Sequence, residues 1–174
     1  MIQKIYTYIF TLLLFSGFSV TDVSASESEG EISFKGEDFP AEKKAELFCV
    51  DSIMCLQFKD ELKKTATFIM NGRMGGNTIR LEIETPATLG PHKIKLDKDG
   101  DPKPGEKFYI EILGPNSAVD KSVYTIEDES DDATVTITEI AEESGTLHAT
   151  FSGRFFDGAT GVKRAQIGGS VSIK

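Results

Sequence analysis

The amino-acid sequence predicts an all-β fold, an antiparallel β-sandwich of about ten short strands with at most one short helix; a closed β-barrel is the alternative. Short runs of alternating apolar and polar residues follow one another from Gly30 onward, separated by clusters of glycine, proline, aspartate and asparagine. Alternation with a period of two is typical of strands that bury one face. No long amphipathic helix pattern separates these runs, so parallel crossover connections are not expected.

One segment, residues 38–46, departs from the strand pattern. Residues 38–46 contain the single stretch with the features of a helix: Asp38 near an N-cap position, Pro40 in the first turn, and good helix formers after it. We expect one short helix here, or no regular element.

Four segments carry the clearest strand pattern. In residues 78–84, isoleucine and leucine share one face, whereas arginine and glutamate share the other. Residues 134–138 and 146–153 repeat this pattern and, joined by a short polar stretch, predict a hairpin. Residues 165–173 keep one parity through a pair of glycines, which predicts a buried final strand. Weaker patterns predict strands at 31–35, 47–50, 53–59, 65–70, 93–96, 107–113 and 122–126.

The charge balance excludes two classes of partner. The 174-residue chain has 28 acidic and 19 basic side chains, a formal net charge of -9. Nucleic-acid binding and attachment to anionic lipid both rely on clustered lysine and arginine, because these cations displace counterions. We therefore expect an unknown protein or small-molecule partner and no nucleic acid.

The N-terminus predicts export. Residues 1–25 combine a positive start at Lys4, an apolar run at 9–15, and small residues ending in Ala25, which are the three regions of a cleaved signal peptide. A membrane anchor is the alternative, but the uncharged stretch is shorter than the roughly 20 apolar residues that span a bilayer. We expect residues 26–174 to form a single β domain, secreted or periplasmic, with no membrane span in the mature chain.

The two cysteines, Cys49 and Cys55, predict a disulfide. In an oxidising compartment a pair six positions apart is most simply a small covalent loop, and polar turn residues between them suit a hairpin with pinned arms. Two free buried thiols are the main alternative. A redox pair would favour a spacing of two residues, and a zinc site would need more ligands nearby.

The C-terminal half resembles a group of small exported bacterial β proteins of unknown function, which are often lipoproteins. Members of that group carry a Val-Thr-Ile-Thr strand, a Gly-Thr-Phe-Ser-Gly strand and a closing strand, matched here by residues 135–138, 149–153 and the segment around Gly168. The resemblance covers residues 78–174 and implies the same fold, but no particular activity. This chain lacks the cysteine to which a lipoprotein attaches its lipid.

No catalytic residue is expected from the sequence. The histidines, His92 and His148, lie far apart without a recognisable nucleophile motif, so both are interpreted as surface residues. The acidic segment at residues 127–132 is interpreted as a solvated connection between strands, with calcium or a basic partner as the alternative. We expect no cofactor and assign no metal ligand.

Alternate aspartates at Asp97, Asp99 and Asp101 form the sharpest local motif. This spacing begins many calcium loops because it can aim three carboxylates at one cation. Positions six and twelve of such a loop would be glycine and glutamate, but here they are Pro102 and Phe108. We therefore favour a polar turn over a calcium site.

These observations predict a non-enzymatic exported protein with a binding or structural role. The solvent-facing side of one predicted strand carries Thr146, His148, Thr150 and Ser152 and could present hydroxyl groups to a partner. One alternative is an acidic inhibitor or immunity-type protein that neutralises a basic exported enzyme, where opposite charges would speed association. Another is a barrel that holds an apolar ligand in a cavity lined by Phe48, Phe58, Phe68 and Phe151.

Overall fold

The computed structural model describes residues 28–49, 55–59, 64–116 and 119–174. The predicted signal peptide lies outside these residues. All eleven elements of the described chain are β-strands: β1 Glu29–Lys35, β2 Lys43–Phe48, β3 Leu56–Lys59, β4 Thr65–Met74, β5 Asn77–Pro86, β6 Gly90–Ile94, β7 Lys107–Leu113, β8 Lys121–Thr125, β9 Asp132–Ala141, β10 Thr146–Phe156 and β11 Lys163–Ile173.

The strands form one antiparallel sheet. Its order is β6-β9-β10-β11-β1-β2-β4-β5-β7-β8, with β3 paired to β4 beside this path. The all-β antiparallel prediction is confirmed. The architecture is a single, strongly curled open sheet, a half-barrel with β6 and β8 at its two edges, rather than two packed sheets or a closed cylinder. Curling lets one sheet enclose its own apolar face, so a second sheet is not needed to bury the core.

The short helix predicted within residues 38–46 is wrong. Lys43–Phe48 is strand β2, which pairs with β1 on one side and β4 on the other. Ala45 and Leu47 alternate into the core between these neighbours. Helix propensity is a weak preference, and two ladders of backbone hydrogen bonds with two buried side chains override it.

The disulfide connects two strands that both pair with β4, so the predicted hairpin with pinned arms is wrong. Phe48 at the end of β2 faces Asn71, whereas Leu56 at the start of β3 faces Phe68, so both strands lie on the same side of β4. The two strands are collinear neighbours of β4 and do not pair with each other. The Cys49–Cys55 disulfide links the end of β2 to the start of β3.

The inner face of the curled sheet carries the core, as the alternating pattern predicts. Ile79, Leu81 and Ile83 of β5 are completely buried. The predicted hairpin is present as β9 and β10, and the predicted last strand is present as β11. One cluster of buried hydrophobic residues fills the inside, and all eleven strands contribute to it; β3, β6 and β8 each contribute a single buried residue, Leu56, Ile94 and Tyr124.

Glycines on the inner face leave room for the curl. A β-carbon at Gly153 would lie 2.7 Å from the ring of Phe155, and one at Gly72 would lie 2.8 Å from the carbonyl oxygen of Glu46. Gly153 therefore leaves space for a ring two residues further along its own strand, and Gly72 lets β2 approach β4 closely because no side chain intervenes. Tight bends in curled sheets use glycine for this reason.

A chain of aromatic rings crosses the interior and connects the β8 edge to the opposite part of the sheet. Tyr124 of β8 packs edge-on against Phe155 of β10, with ring centroids 5.6 Å apart, and lies 6.0 Å from Phe39 in the β1–β2 connection. Its hydroxyl donates a 2.9 Å hydrogen bond to Asp38 Oδ2. This contact ties one edge of the open sheet to a loop that is distant along the strand order.

Candidate functional site

The outer face of β9, β10, β11, β1 and β2 carries polar side chains in rows that run across the strands. In one row, Ser172 of β11 lies between His148 of β10 and Glu29 of β1, and Phe48 of β2 continues the row. In the next row, Ser170 lies between Thr150 and Glu31, and Glu46 follows on β2. Serine therefore occupies β11 at the middle of both rows.

These rows line an open groove of about 730 Å³. Ser170 and Ser172 point outward yet are only half-exposed, whereas Thr150, Glu31 and Glu46 around them are exposed. The small side chains of β11 thus form the floor, and longer side chains on the flanking strands form the sides.

The groove continues along β11 towards Gly168. This second section has a volume of about 310 Å³ and is lined by Gly168, Ser33 and Lys44, together with the shared residues Ser170 and Glu31. A continuous path therefore follows three successive outward positions of one strand, and every one of them is glycine or serine.

The first section of the groove is acidic; Arg73 of β4 is the direct cross-strand partner of Glu46 but forms no ion pair with it. The described lining of this section contains Glu29, Glu31 and Glu46 but no lysine or arginine. Within the described residues, none of these three carboxylates forms an ion pair. Glu31 and Glu46 are direct cross-strand partners, an arrangement of like charges that destabilises a sheet.

The outer face of β5, β7 and β8 has the opposite organisation. Lys107 Nζ lies 2.7 Å from Glu82 Oε1, and Lys121 pairs with Glu111. The hydrogen bond from Lys121 holds the pKa of the Glu111 carboxyl below its usual value. Glu82 and Glu111 are thus neutralised by lysines of neighbouring strands, whereas Glu29, Glu31 and Glu46 form no such ion pair among the described residues.

His148 stands at the edge of the groove, beside a serine and a glutamate. Its Nε2 lies 3.5 Å from Ser172 Oγ and 3.8 Å from Glu139 Oε2. A catalytic triad uses the two ring nitrogens separately, one for the nucleophile and one for the acid. Here both neighbours face the same nitrogen, and the contacts are long, so the arrangement does not form a nucleophile and its general base.

Of the other residues considered from the sequence, His92 lies in the middle of edge strand β6, where it pairs with Val135, and the alternate aspartates occupy a turn. His92 Nε2 lies 2.7 Å from the carbonyl oxygen of Thr88. Asp97 Oδ1 accepts hydrogen bonds from the backbone N–H groups of Asp99 and Asp101. This geometry is that of a polar turn in which Asp97 caps the following backbone.

The acidic connection between β8 and β9 contains a buried carboxylate. Asp131 Oδ2 accepts hydrogen bonds from the backbone N–H groups of Glu127 and Asp128, and its Oδ1 accepts one of 2.8 Å from the N–H of Phe156. Asp131 is buried, so this residue joins the connection to the end of β10 rather than standing in solvent. The interpretation of residues 127–132 as entirely solvated is corrected at this position.

The predicted disulfide between Cys49 and Cys55 is confirmed. Of the phenylalanines considered for an apolar cavity, Phe68 and Phe151 are buried in the core cluster, and Phe58 packs against it. Phe48 points away from the interior and is 41% exposed beside the groove.

Sequence reasoning found only part of the groove. Four outward residues of β10 were considered from the sequence. His148 and Thr150 line the groove, whereas Thr146 and Ser152 do not. The residues from β1, β2 and β11 were missed, although their parity marks each of them as outward. Nothing in the local pattern indicates that these three strands are neighbours of β10.

Comparison with known proteins finds no family model, no curated protein and no solved structure that matches this chain. The resemblance to exported bacterial β proteins therefore stays a prediction. The described residues contain no group of three or more histidine, cysteine, aspartate or glutamate side chains arranged to hold a metal ion, and no helix of sufficient length and hydropathy to cross a bilayer.

Proposed function

We propose that this protein is an exported, non-enzymatic binding protein, secreted or periplasmic, that holds its partner in the groove along β11. The observation that carries the proposal is the groove itself: small residues at three successive outward positions, flanked by hydroxyl and carboxylate groups. Small side chains on a strand leave room for a ligand to approach the backbone closely. The disulfide supports export, because such bonds persist mainly in oxidising compartments.

The chemistry of the groove supports binding rather than catalysis. Its hydroxyl groups can donate and accept hydrogen bonds. Ser172, the groove hydroxyl that contacts a histidine, is not paired with a correctly placed base, since His148 contacts Ser172 and Glu139 through one nitrogen.

The experiment compares two tyrosine substitutions on one strand. Ser170→Tyr places a bulky side chain on the groove floor, whereas Gln166→Tyr places the same side chain at an exposed outward position of β11 outside the groove. Tyrosine is favourable in strands, so both variants are expected to fold, which thermal melting would check. Immobilised wild-type and variant proteins are then exposed to medium or envelope extract from the producing cells.

We expect wild-type protein and Gln166→Tyr to retain the same bound component, identified by mass spectrometry, and Ser170→Tyr to lose it. Equal capture by all three proteins would exclude the groove as the binding surface. Substrate turnover by the purified wild-type protein would refute the non-enzymatic part of the proposal. An exported form whose mass still includes residues 1–25 would refute cleavage after Ala25.

A second candidate is an acidic inhibitor or immunity-type protein that neutralises a basic exported enzyme. The unpaired carboxylates of Glu29, Glu31 and Glu46 favour it, because they remain available to cations of a partner. For this function, the association rate with the captured partner should fall steeply as salt rises from about 10 mM to about 150 mM, as the screening length shortens from roughly 30 to 8 Å. An unchanged rate would exclude it.

A further inference from the structure

We infer that the groove takes an extended, arginine-containing segment of a partner polypeptide, lying along β11 with its guanidinium groups over the acidic section. This inference rests on the proposed binding function and specifies the chemistry of the partner. Four features of the groove carry it: shape, hydrogen-bonding groups, charge and one exposed aromatic ring.

The shape of the groove matches an extended chain. Its floor follows the outward positions Gly168, Ser170 and Ser172 of a single strand. Four residues of strand rise span roughly 13 Å, at about 3.3 Å per residue. A partner segment of about four or five extended residues would therefore occupy the whole length.

Hydroxyl groups along the floor and one side suit a peptide backbone. Ser170, Ser172 and Thr150 each present an oxygen that donates one hydrogen bond and accepts others. A peptide backbone presents alternating N–H donors and C=O acceptors. The hydroxyl groups can reorient to either type of neighbour, so they satisfy a backbone without selecting its side chains.

Charge selects the side chains. The carboxylates of Glu29, Glu31 and Glu46 are exposed, lie on adjacent strands, and form no ion pair within the described chain, although Arg73 of β4 is the cross-strand partner of Glu46. The direct opposition of Glu31 and Glu46 is unfavourable in the free protein. A cation placed between them would relieve this repulsion, which favours a positively charged partner over a neutral one.

The exposed ring of Phe48 favours arginine among the cations. Phe48 follows Glu29 in its cross-strand row and is 41% exposed. A guanidinium group can stack on an aromatic face while pairing with a carboxylate, whereas an ammonium group is a compact, strongly hydrated charge. The acidic section and the ring therefore form one surface suited to arginine. Lys44, at the far end of the groove, disfavours a cation there, so the guanidinium groups are expected over the section that contains Glu29.

The test uses a fluorescein-labelled octapeptide of alternating arginine and threonine, with anisotropy measured against the full mature protein. Alternation directs the arginines to one side of an extended peptide. The double variant Glu31→Gln/Glu46→Gln removes two groove carboxylates. Its matched control, Asp99→Asn/Asp101→Asn, removes the same charge from an exposed turn that follows β6, whose last residue Ile94 pairs with Ala133 at the end of β9 away from the groove residue Thr138.

We expect wild-type protein and the turn control to bind the peptide with similar Kd. The groove double variant should bind about twofold to thirtyfold more weakly, the effect of losing two exposed ion pairs. Replacing arginine by lysine in the peptide should weaken binding to wild-type protein but not to Phe48→Leu. Ser170→Tyr should abolish binding, and thermal melting would confirm that each variant is folded.

Three results would overturn the inference: equal weakening in both double variants, which indicates diffuse attraction by net charge; equal binding of the corresponding glutamate peptide; or no binding of the arginine peptide at low salt. If Ser170→Tyr loses the natural partner while the groove double variant keeps it, the partner chemistry is wrong and the binding function stands.

Discussion

The ring of Phe151 occupies the space above Gly169, its direct cross-strand neighbour. A β-carbon at Gly169 would lie 2.6 Å from Phe151 Cζ and 2.0 Å from the carbonyl oxygen of Glu31 on the other neighbouring strand. An aromatic ring thus covers a glycine where β10, β11 and β1 curl most closely together. Strand β11 also presents its outward serines to the groove. The close packing at Gly169 on the inner face therefore holds in place the strand whose outer face forms the groove floor.

Gly169→Ala should lower the free energy of unfolding by about 3 kcal/mol, because a methyl group would have to displace backbone and a packed ring. Gly168→Ala is the matched control: its β-carbon would meet only the carbonyl oxygen of Phe151, at an ordinary 3.5 Å. Urea denaturation of both variants measures the difference. Similar midpoints for the two variants would contradict the proposed close approach.

Tyr124 should make the fold sensitive to high pH. Burial of its ring, and its hydrogen bond to Asp38, raise the pKa of the Tyr124 hydroxyl well above its usual value. The folded state favours the neutral hydroxyl of Tyr124. The contribution of this group to the stability of the fold is therefore fully present below about pH 10, the pKa of tyrosine in the unfolded chain, and declines as the pH rises beyond that value.

Tyr124→Phe removes both the hydrogen bond and the titration. Near pH 7 we expect wild-type protein to be more stable by about 1 kcal/mol, and this advantage should shrink above about pH 10. Other groups titrate in both proteins and cancel in the difference. A stability difference that stays constant up to about pH 11.5 would show that Tyr124 does not ionise at greater cost in the folded state.

Asp131→Ala should destabilise the protein by roughly 3 kcal/mol, because three backbone N–H groups lose a buried charged acceptor. Asp101→Ala is the control, as that carboxylate is exposed and accepts no hydrogen bond from the described chain. Chemical denaturation measures both. A loss below about 0.5 kcal/mol for Asp131→Ala would mean that solvent replaces the lost acceptor.

The disulfide should contribute about 2.4 kcal/mol, the chain-entropy value for so short a loop. Cys49→Ser/Cys55→Ser is expected to show this loss in urea denaturation, and wild-type protein should lose a similar amount when reductant is added. The serine variant itself should not respond to reductant. Labelling of both thiols by an alkylating agent without reduction would contradict the bond.

The prediction of individual strands from the sequence succeeded where one face is apolar over several residues. Residues 78–84, 134–138 and 165–173 lie in β5, β9 and β11, with the predicted residues facing inward. It failed at residues 43–46, where Ala45 alone carries the pattern and good helix formers surround it, although the strand predicted at 47–50 begins within β2. The conformation of so short a segment is decided by its pairing with β1 and β4, and not by local preference.

The sequence alone determined the strand class, the inward and outward faces of most strands, the disulfide pairing and the negative charge. All of these depend on residue type and on spacing along the chain. Only the tertiary structure decided that eleven strands share one curled sheet, that β2 and β3 follow each other along β4, and that the outward residues of β10, β11, β1 and β2 meet in one groove. Strand neighbours are set by long-range pairing, and the alternation that assigns each residue to a face is the same whichever strand lies beside it.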